Sequence, residues 1–202
     1  MPKLDNGNPS PQALPLRLWY IRQTPARRIA MISLFALLIA SGGKSAGIYA
    51  YSPVPATHQL FFTMLAGALI GSRPGAIAAL FYMLSACLFF PLWPTGAGVA
   101  PLTGLLAGYL WSLPAVAWLS GYYVECYQAE SVSFFLMGVC TATATYNMLG
   151  TLRLLCILDR GAVADVFVKG NSLFIGQQIA EGALVVFIAT SASSMVSRNP
   201  RN

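Results

Sequence analysis

The stretch "SLFIGQQIAEGALVVFIATSASSM", Ser172 to Met195, decides how this chain is read. At about 1.5 Å of rise per residue it makes a helix of about 36 Å, longer than the roughly 30 Å of hydrocarbon in a bilayer. It contains no Lys or Arg and one acid, so it reads as a membrane span rather than as a helix of a soluble domain. Glu181 would sit about 14 Å along it, near the bilayer centre, where an ionisable side chain is a functional candidate by default. Asn171, Phe174, Gln178 and Glu181 recur at i, i+3, i+7 and i+10 and therefore share one face. Turned inward, such a face supplies what a small-molecule site between helices needs. A structural acid, protonated or paired with Arg153 or Lys169, is the alternative reading of Glu181.

The rest of the chain keeps the same balance. Of 202 residues, 56% are hydrophobic and 9% charged, against about 25% charged in an average soluble domain. Beyond a polar, cytoplasmic tail at 1–28, a single six-helix transmembrane domain is expected over 29–197. Its spans are placed at Ile29 to Ala40, Gln59 to Gly71, Gly75 to Phe90, Leu102 to Tyr123, Val132 to Leu158 and Ser172 to Met195. The second and third are short for a bilayer and need help from their flanks or neighbours. The basic residues before Ile29 followed by a short apolar core also fit a cleaved secretory signal, but the long leader and five further spans favour an anchor.

With the N-terminus inside, the inner segments hold Lys3, Arg17, Arg22, Arg27, Arg28, Arg73, Arg198 and Arg201. The outer ones hold Lys44, Arg153, Arg160 and Lys169. That asymmetry puts both termini in the cytoplasm, although the inner loop around Glu125 and Glu130 carries no Lys or Arg. Cys87, Cys126, Cys140 and Cys156 have no metal-ligand spacing, and His58 is the only His, so they read as packing residues and no metal is expected. No P-loop and no Ser/His/Asp arrangement is present, which argues against an enzyme and against ATP-driven work by this chain alone.

Between the first two spans runs "YSPVPATHQLFF", Tyr51 to Phe62. Pro53 and Pro55 hold extended backbone, and Thr57 is expected to cap the helix that begins near Gln59. Irregular backbone at a membrane must be buried in protein or line a cavity. A plain extracellular loop is the other reading.

"SLFALLIASGGKSAGIYAYSPVPATHQ", Ser33 to Gln59, and "MLAGALIGSRPGAIAALFYMLSACLFFPLWPTGAG", Met64 to Gly98, resemble the biotin-specific S components, the BioY family, of energy-coupling-factor transporters. The resemblance covers about a third of the chain. It rests on Pro53, Val54, Pro55, Thr57 and Gln59, on Gly71, Arg73 and Gly75, and on Tyr82 and Pro91. It implies a membrane subunit that captures a vitamin and works with a transmembrane coupling subunit and two ATPases. Downstream, "PLTGLLAGYL" matches loosely through Thr103 and Gly104. At the last helix the family shows an Asp followed three residues later by Lys; here Asn171 and Phe174 stand there, or Gln178 and Glu181 in a shifted register.

A ligand carboxylate in a low-dielectric pocket calls for a cation or several donors, so Arg153 or Lys169 is expected to take the role of the missing Lys. Gln59, Tyr146 and Asn147 are further candidates to hold a polar ring, since amides donate and accept together; interhelical hydrogen bonding would use them equally well. Phe89, Phe90 and Trp93 are candidate outer walls of the pocket. On the first helix, Ser33, Ala36, Ala40 and Gly43 form a small-residue strip where another helix can approach closely, which packing inside the same chain explains as well; the resemblance implies that Ala36 and Ala40 dock the coupling subunit.

The expectation is thus an all-α membrane protein, a six-helix S-component-like bundle with no cofactor. Its substrate-binding residues are Gln59, Asn147, Arg153, Asn171, Gln178 and Glu181, and its leading substrate is biotin. Another vitamin-like solute on the same fold, or a non-transporting membrane scaffold, are the alternatives.

Overall fold

A computed structural model describes residues 15–45, 57–88, 98–127, 131–157 and 172–198. Among them are eight helices and no strand: α1 Pro15–Arg22, α2 Pro25–Lys44, α3 Gln59–Ile70, α4 Ser72–Leu88, α5 Ala100–Thr103, α6 Ala107–Tyr127, α7 Val132–Ile157 and α8 Ser172–Arg198. The six expected spans correspond to α2, α3, α4, α6, α7 and α8. By length and composition, three helices can cross a membrane: α2, α7 and α8 over Phe174–Ser197. α3 and α4 are apolar but shorter.

The bundle is apolar outside as well as inside. Ile29, Leu37, Leu84, Ile179 and Phe187 are all more than half exposed. In water such a surface would aggregate; against lipid tails it costs nothing. Helix association then depends on close packing, and the sequence supplies small residues where backbones meet. A Cβ on Gly67 of α3 would run into the Ala117 carbonyl and the Ser120 hydroxyl of α6, and one on Gly121 would lie 2.5 Å from the Gly67 carbonyl. Ser120 Oγ donates to the Met64 carbonyl at 2.9 Å, so the tightest crossing also carries a hydrogen bond.

α3 turns into α4 at Gly71, whose φ of 102° lies in the left-handed region where glycine is unstrained. Just beyond it, Glu125 near the end of α6 accepts from the Ser72 backbone N–H at 2.9 Å and from Ser72 Oγ at 2.6 Å. A carboxylate at the amino end of α4 satisfies orphan N–H groups and complements the helix dipole.

Four local expectations change. Residues 15–28, read as a tail, hold α1 and the start of α2. Leu16 and Tyr20, one turn apart, are buried in the main core, and α1 packs on α8 and α3. α2 starts at Pro25, with Thr24 as N-cap accepting from Arg27 N–H, rather than at Ile29. The expected cap at Thr57 is displaced: His58 occupies the N-cap of α3 without a side-chain bond to the helix. Of the cysteines, only Cys87 is half-buried, and Cys126, Cys140 and Cys156 are exposed rather than packed.

Candidate functional site

The inward face of α8 is as its spacing required. Phe174 and Glu181 are buried and Gln178 is half-buried, while Ile175 and Ile179 point outward. Phe174 packs with Tyr109 of α6 and Leu154 of α7. One turn on, Gln178 meets Asn147 of α7: Asn147 Nδ2 donates to Gln178 Oε1 at 2.8 Å, and Gln178 Nε2 returns to Asn147 Oδ1 at 3.4 Å. Asn147 Nδ2 also reaches the Thr143 carbonyl, at 3.0 Å. These two amides satisfy one another across the helix interface, where an unpaired amide would be costly.

Glu181 looks the other way, toward the start of α3. Its Oε1 accepts from Gln177 Nε2 at 2.7 Å and lies 2.8 Å from His58 Nδ1. The pair is lopsided in exposure, with 53% of the His58 side chain accessible and 10% of that of Glu181. His58 is itself fixed by its backbone N–H on the Gly42 carbonyl of α2, at 3.1 Å. Around this cluster, α2, α3 and α8 border an open cleft of about 630 Å³, walled by Phe61, Phe62 and Leu184 and rimmed by Ser41 and Ser45. That volume lies within the range of small-molecule sites.

Gln59 opens α3 and is 3% exposed; its Nε2 donates to the hydroxyl of the equally buried Tyr82 on α4, at 2.6 Å. Tyr146 stands between these groups, its ring 5.0 Å from that of Tyr109 and its hydroxyl bonded to Thr57. Thr57, Gln59, Tyr146, Asn147, Gln178 and Glu181 therefore come from three separate stretches of sequence into one polar layer of an apolar bundle.

Two of the expected residues have other partners within the fold. Arg153 is engaged away from Glu181. Its Nη2 donates to the Thr103 carbonyl at 2.5 Å and its Nε to the Gly104 carbonyl at 3.4 Å, with Cζ 5.3 Å from the centre of the Trp111 ring. The guanidinium thus ties the carbonyl end of α5 to α7, a fit for its fork of donors. Ala36 and Ala40 are 5% and 4% exposed and pack within the chain on Ala79, Tyr82 and Ala86 of α4. Small residues suit close contact with a neighbour inside the chain as well as outside it, and the outward positions of α2 include Ile29, Ala30, Leu34 and Leu37. Asn171, Lys169, Phe89, Phe90, Trp93, Pro53 and Pro55 lie outside the described residues.

His58, Gln177 and Tyr82 are the site members that sequence reasoning left unassigned. The i, i+4 spacing of Gln177 and Glu181 carried a signal for one of them. Nothing local could pair His58 with a residue 123 positions away. Among the described residues no group of three or more His, Cys, Asp or Glu is placed to hold a metal.

Residues 14–198 match the family described as the BioY family. The chain is 33% identical over 119 residues to the "Biotin transporter BioY" of Rhizobium etli, covering 54% of this chain and 64% of that protein. It is 31% identical over 127 residues to the "Putative biotin transporter BioYB" of Bacillus subtilis, covering 61% of this chain and 64% of that one. The chain thus spans a little under two-thirds of the length of these relatives. Its fold superimposes with a TM-score of 0.72 on the solved S-component for biotin from an ECF-type ABC transporter, over 85% of this chain and 95% of that one, at 18% identity. That likeness concerns the fold, whereas the family match runs through nearly all of α1 to α8 and covers every described helix that carries the polar layer. With its outward Leu, Ile and Phe side chains the chain is a multi-pass membrane protein, and it belongs to the BioY family.

Proposed function

We propose that this chain is the substrate-binding membrane subunit of a biotin uptake transporter. The observation that carries the reading is the family match over residues 14–198. A polar layer inside a bundle with an apolar exterior supports it, since buried amides and an acid in a membrane are expensive unless they are used. Ligand capture would draw on Gln59, Asn147, Gln178 and Glu181, joined by Asn171 just ahead of α8.

The work is binding and conformational change, with no covalent step. Uptake against a gradient takes its energy from outside the chain, from a transmembrane coupling subunit and two ATPases; the capture subunit needs two states of different ligand affinity. The excess of Lys and Arg at 1–28, Arg73 and the C-terminus supports an inner-membrane protein with both termini in the cytoplasm. In this arrangement residues 1–28 form the cytoplasmic lead-in, part of it folded as α1, and 29–197 the membrane domain.

Uptake of radiolabelled biotin decides the matter. Cells lacking their own biotin uptake should accumulate label when they express this chain with a coupling module. Expression that leaves accumulation at the background of empty cells, with and without the module, refutes the reading.

A further inference from the structure

Glu181 uses only half of its carboxylate within the chain. Oε1 takes both hydrogen bonds, from Gln177 and His58, and among the described residues Oε2 accepts none. A side chain nine-tenths removed from solvent with an open acceptor oxygen loses its hydration without replacement, and such a group is stable when a donor arrives from elsewhere. Glu181 also lines the cleft between α2, α3 and α8.

The remaining polar groups of the cleft narrow what can arrive. Ser41 Oγ already donates to the Leu38 carbonyl at 2.7 Å and Ser45 Oγ to the Gly42 carbonyl at 2.8 Å. Each hydroxyl has one hydrogen, so both can offer the cleft only lone pairs. The lining includes no Lys or Arg; the one base, His58, has its Nδ1 on Glu181, and Gln177 turns its Nε2 toward Glu181 and His58, which leaves its carbonyl oxygen to the cleft. An acceptor-rich cavity with apolar walls suits a group with several N–H donors on a compact apolar body, and it repels a carboxylate.

We infer that the cleft holds the N–H-bearing end of the ligand. A cyclic urea or similar group donates to Glu181 Oε2 and its ring lies against Phe61, Phe62 and Leu184, while any carboxylate the ligand carries points away. The inference rests on the biotin-carrier reading and makes Glu181 the residue that selects which end of the molecule enters.

Calorimetric titration of the purified full chain in detergent tests it, with biotin as ligand and imidazolidin-2-one and pentanoate, the urea ring and the acid tail taken separately, as competitors. Glu181→Gln, at unchanged elution and melting, should weaken biotin about tenfold or more, the effect of losing a hydrogen bond to a charged group. Leu184→Trp, which fills the cleft without touching the acid, should weaken it similarly. Imidazolidin-2-one should compete in wild type and lose most of its effect in Glu181→Gln, and pentanoate should not compete. If Glu181→Gln misfolds, Leu184→Trp decides.

Wild-type affinity in both variants overturns the inference and leaves the carrier reading standing. So does competition by pentanoate without imidazolidin-2-one. Wild-type protein that binds imidazolidin-2-one through Glu181 but not biotin overturns the carrier reading and keeps the cleft. Binding of neither compound overturns both.

Discussion

α8 carries two polar groupings one turn apart, and they differ in kind. Gln178 faces α7, where its amide and that of Asn147 close on each other. Gln177 and Glu181 face α2 and α3, where two side chains, Gln177 and His58, converge on one oxygen of Glu181 and leave the other open. Both are amide-rich, both lie in an apolar helix, and both would be flagged by the same rule about polar residues in membranes. The first is closed within the chain and must open before it can serve a ligand; the second is an incomplete coordination that is open already. Polarity in a bilayer marks where to look, and satisfaction within the chain tells which kind of site is there.

Four substitutions break or sharpen the contrast, beginning with the strongest. Glu181→Gln should leave the melting point of the detergent-solubilised protein close to wild type while biotin affinity falls by about an order of magnitude, because the open oxygen serves the ligand rather than the fold. Asn147→Leu should do the reverse to stability. It strands the Gln178 amide and costs about 1–3 kcal/mol in unfolding free energy, whereas Asn147→Leu with Gln178→Leu removes both partners and recovers most of that loss. A double mutant as unstable as the sum of the singles would show that the pair is not a closed unit.

Arg153→Ala should cost about 1–2 kcal/mol of stability through α5, since two carbonyls lose a charged donor. Increased proteolysis near residues 100–106 is the readout, and Arg153→Lys, which cannot fork across two carbonyls, should restore only part of it. His58→Gln is the mildest. Half of the imidazole is in solvent, so its link to Glu181 is discounted for screening, and about 0.5 kcal/mol in thermal unfolding is expected.

Much of the architecture could be read in the sequence because hydrophobicity is a local property. Six apolar runs gave six helices, and the i, i+3, i+7, i+10 pattern placed Phe174, Gln178 and Glu181 on one inward face. α1 was hidden because eight residues with only Leu16 and Tyr20 to bury give too little period to separate a docked helix from a polar leader. Direction was hidden at Ala36 and Ala40 for a related reason, since a small side chain has no preference between two equally apolar neighbours. The partners of Arg153 were hidden because they are main-chain carbonyls, which every residue possesses and no sequence advertises. The cleft needed three helices whose order in space does not follow their order in the chain.

Glu125 has a bearing on how charge is counted in this protein. Its carboxylate is bound by the Ser72 amide and hydroxyl at the start of α4, so its negative charge sits at the positive end of that helix dipole and is partly offset there. A tally of formal charges therefore overstates how acidic this end of α6 is.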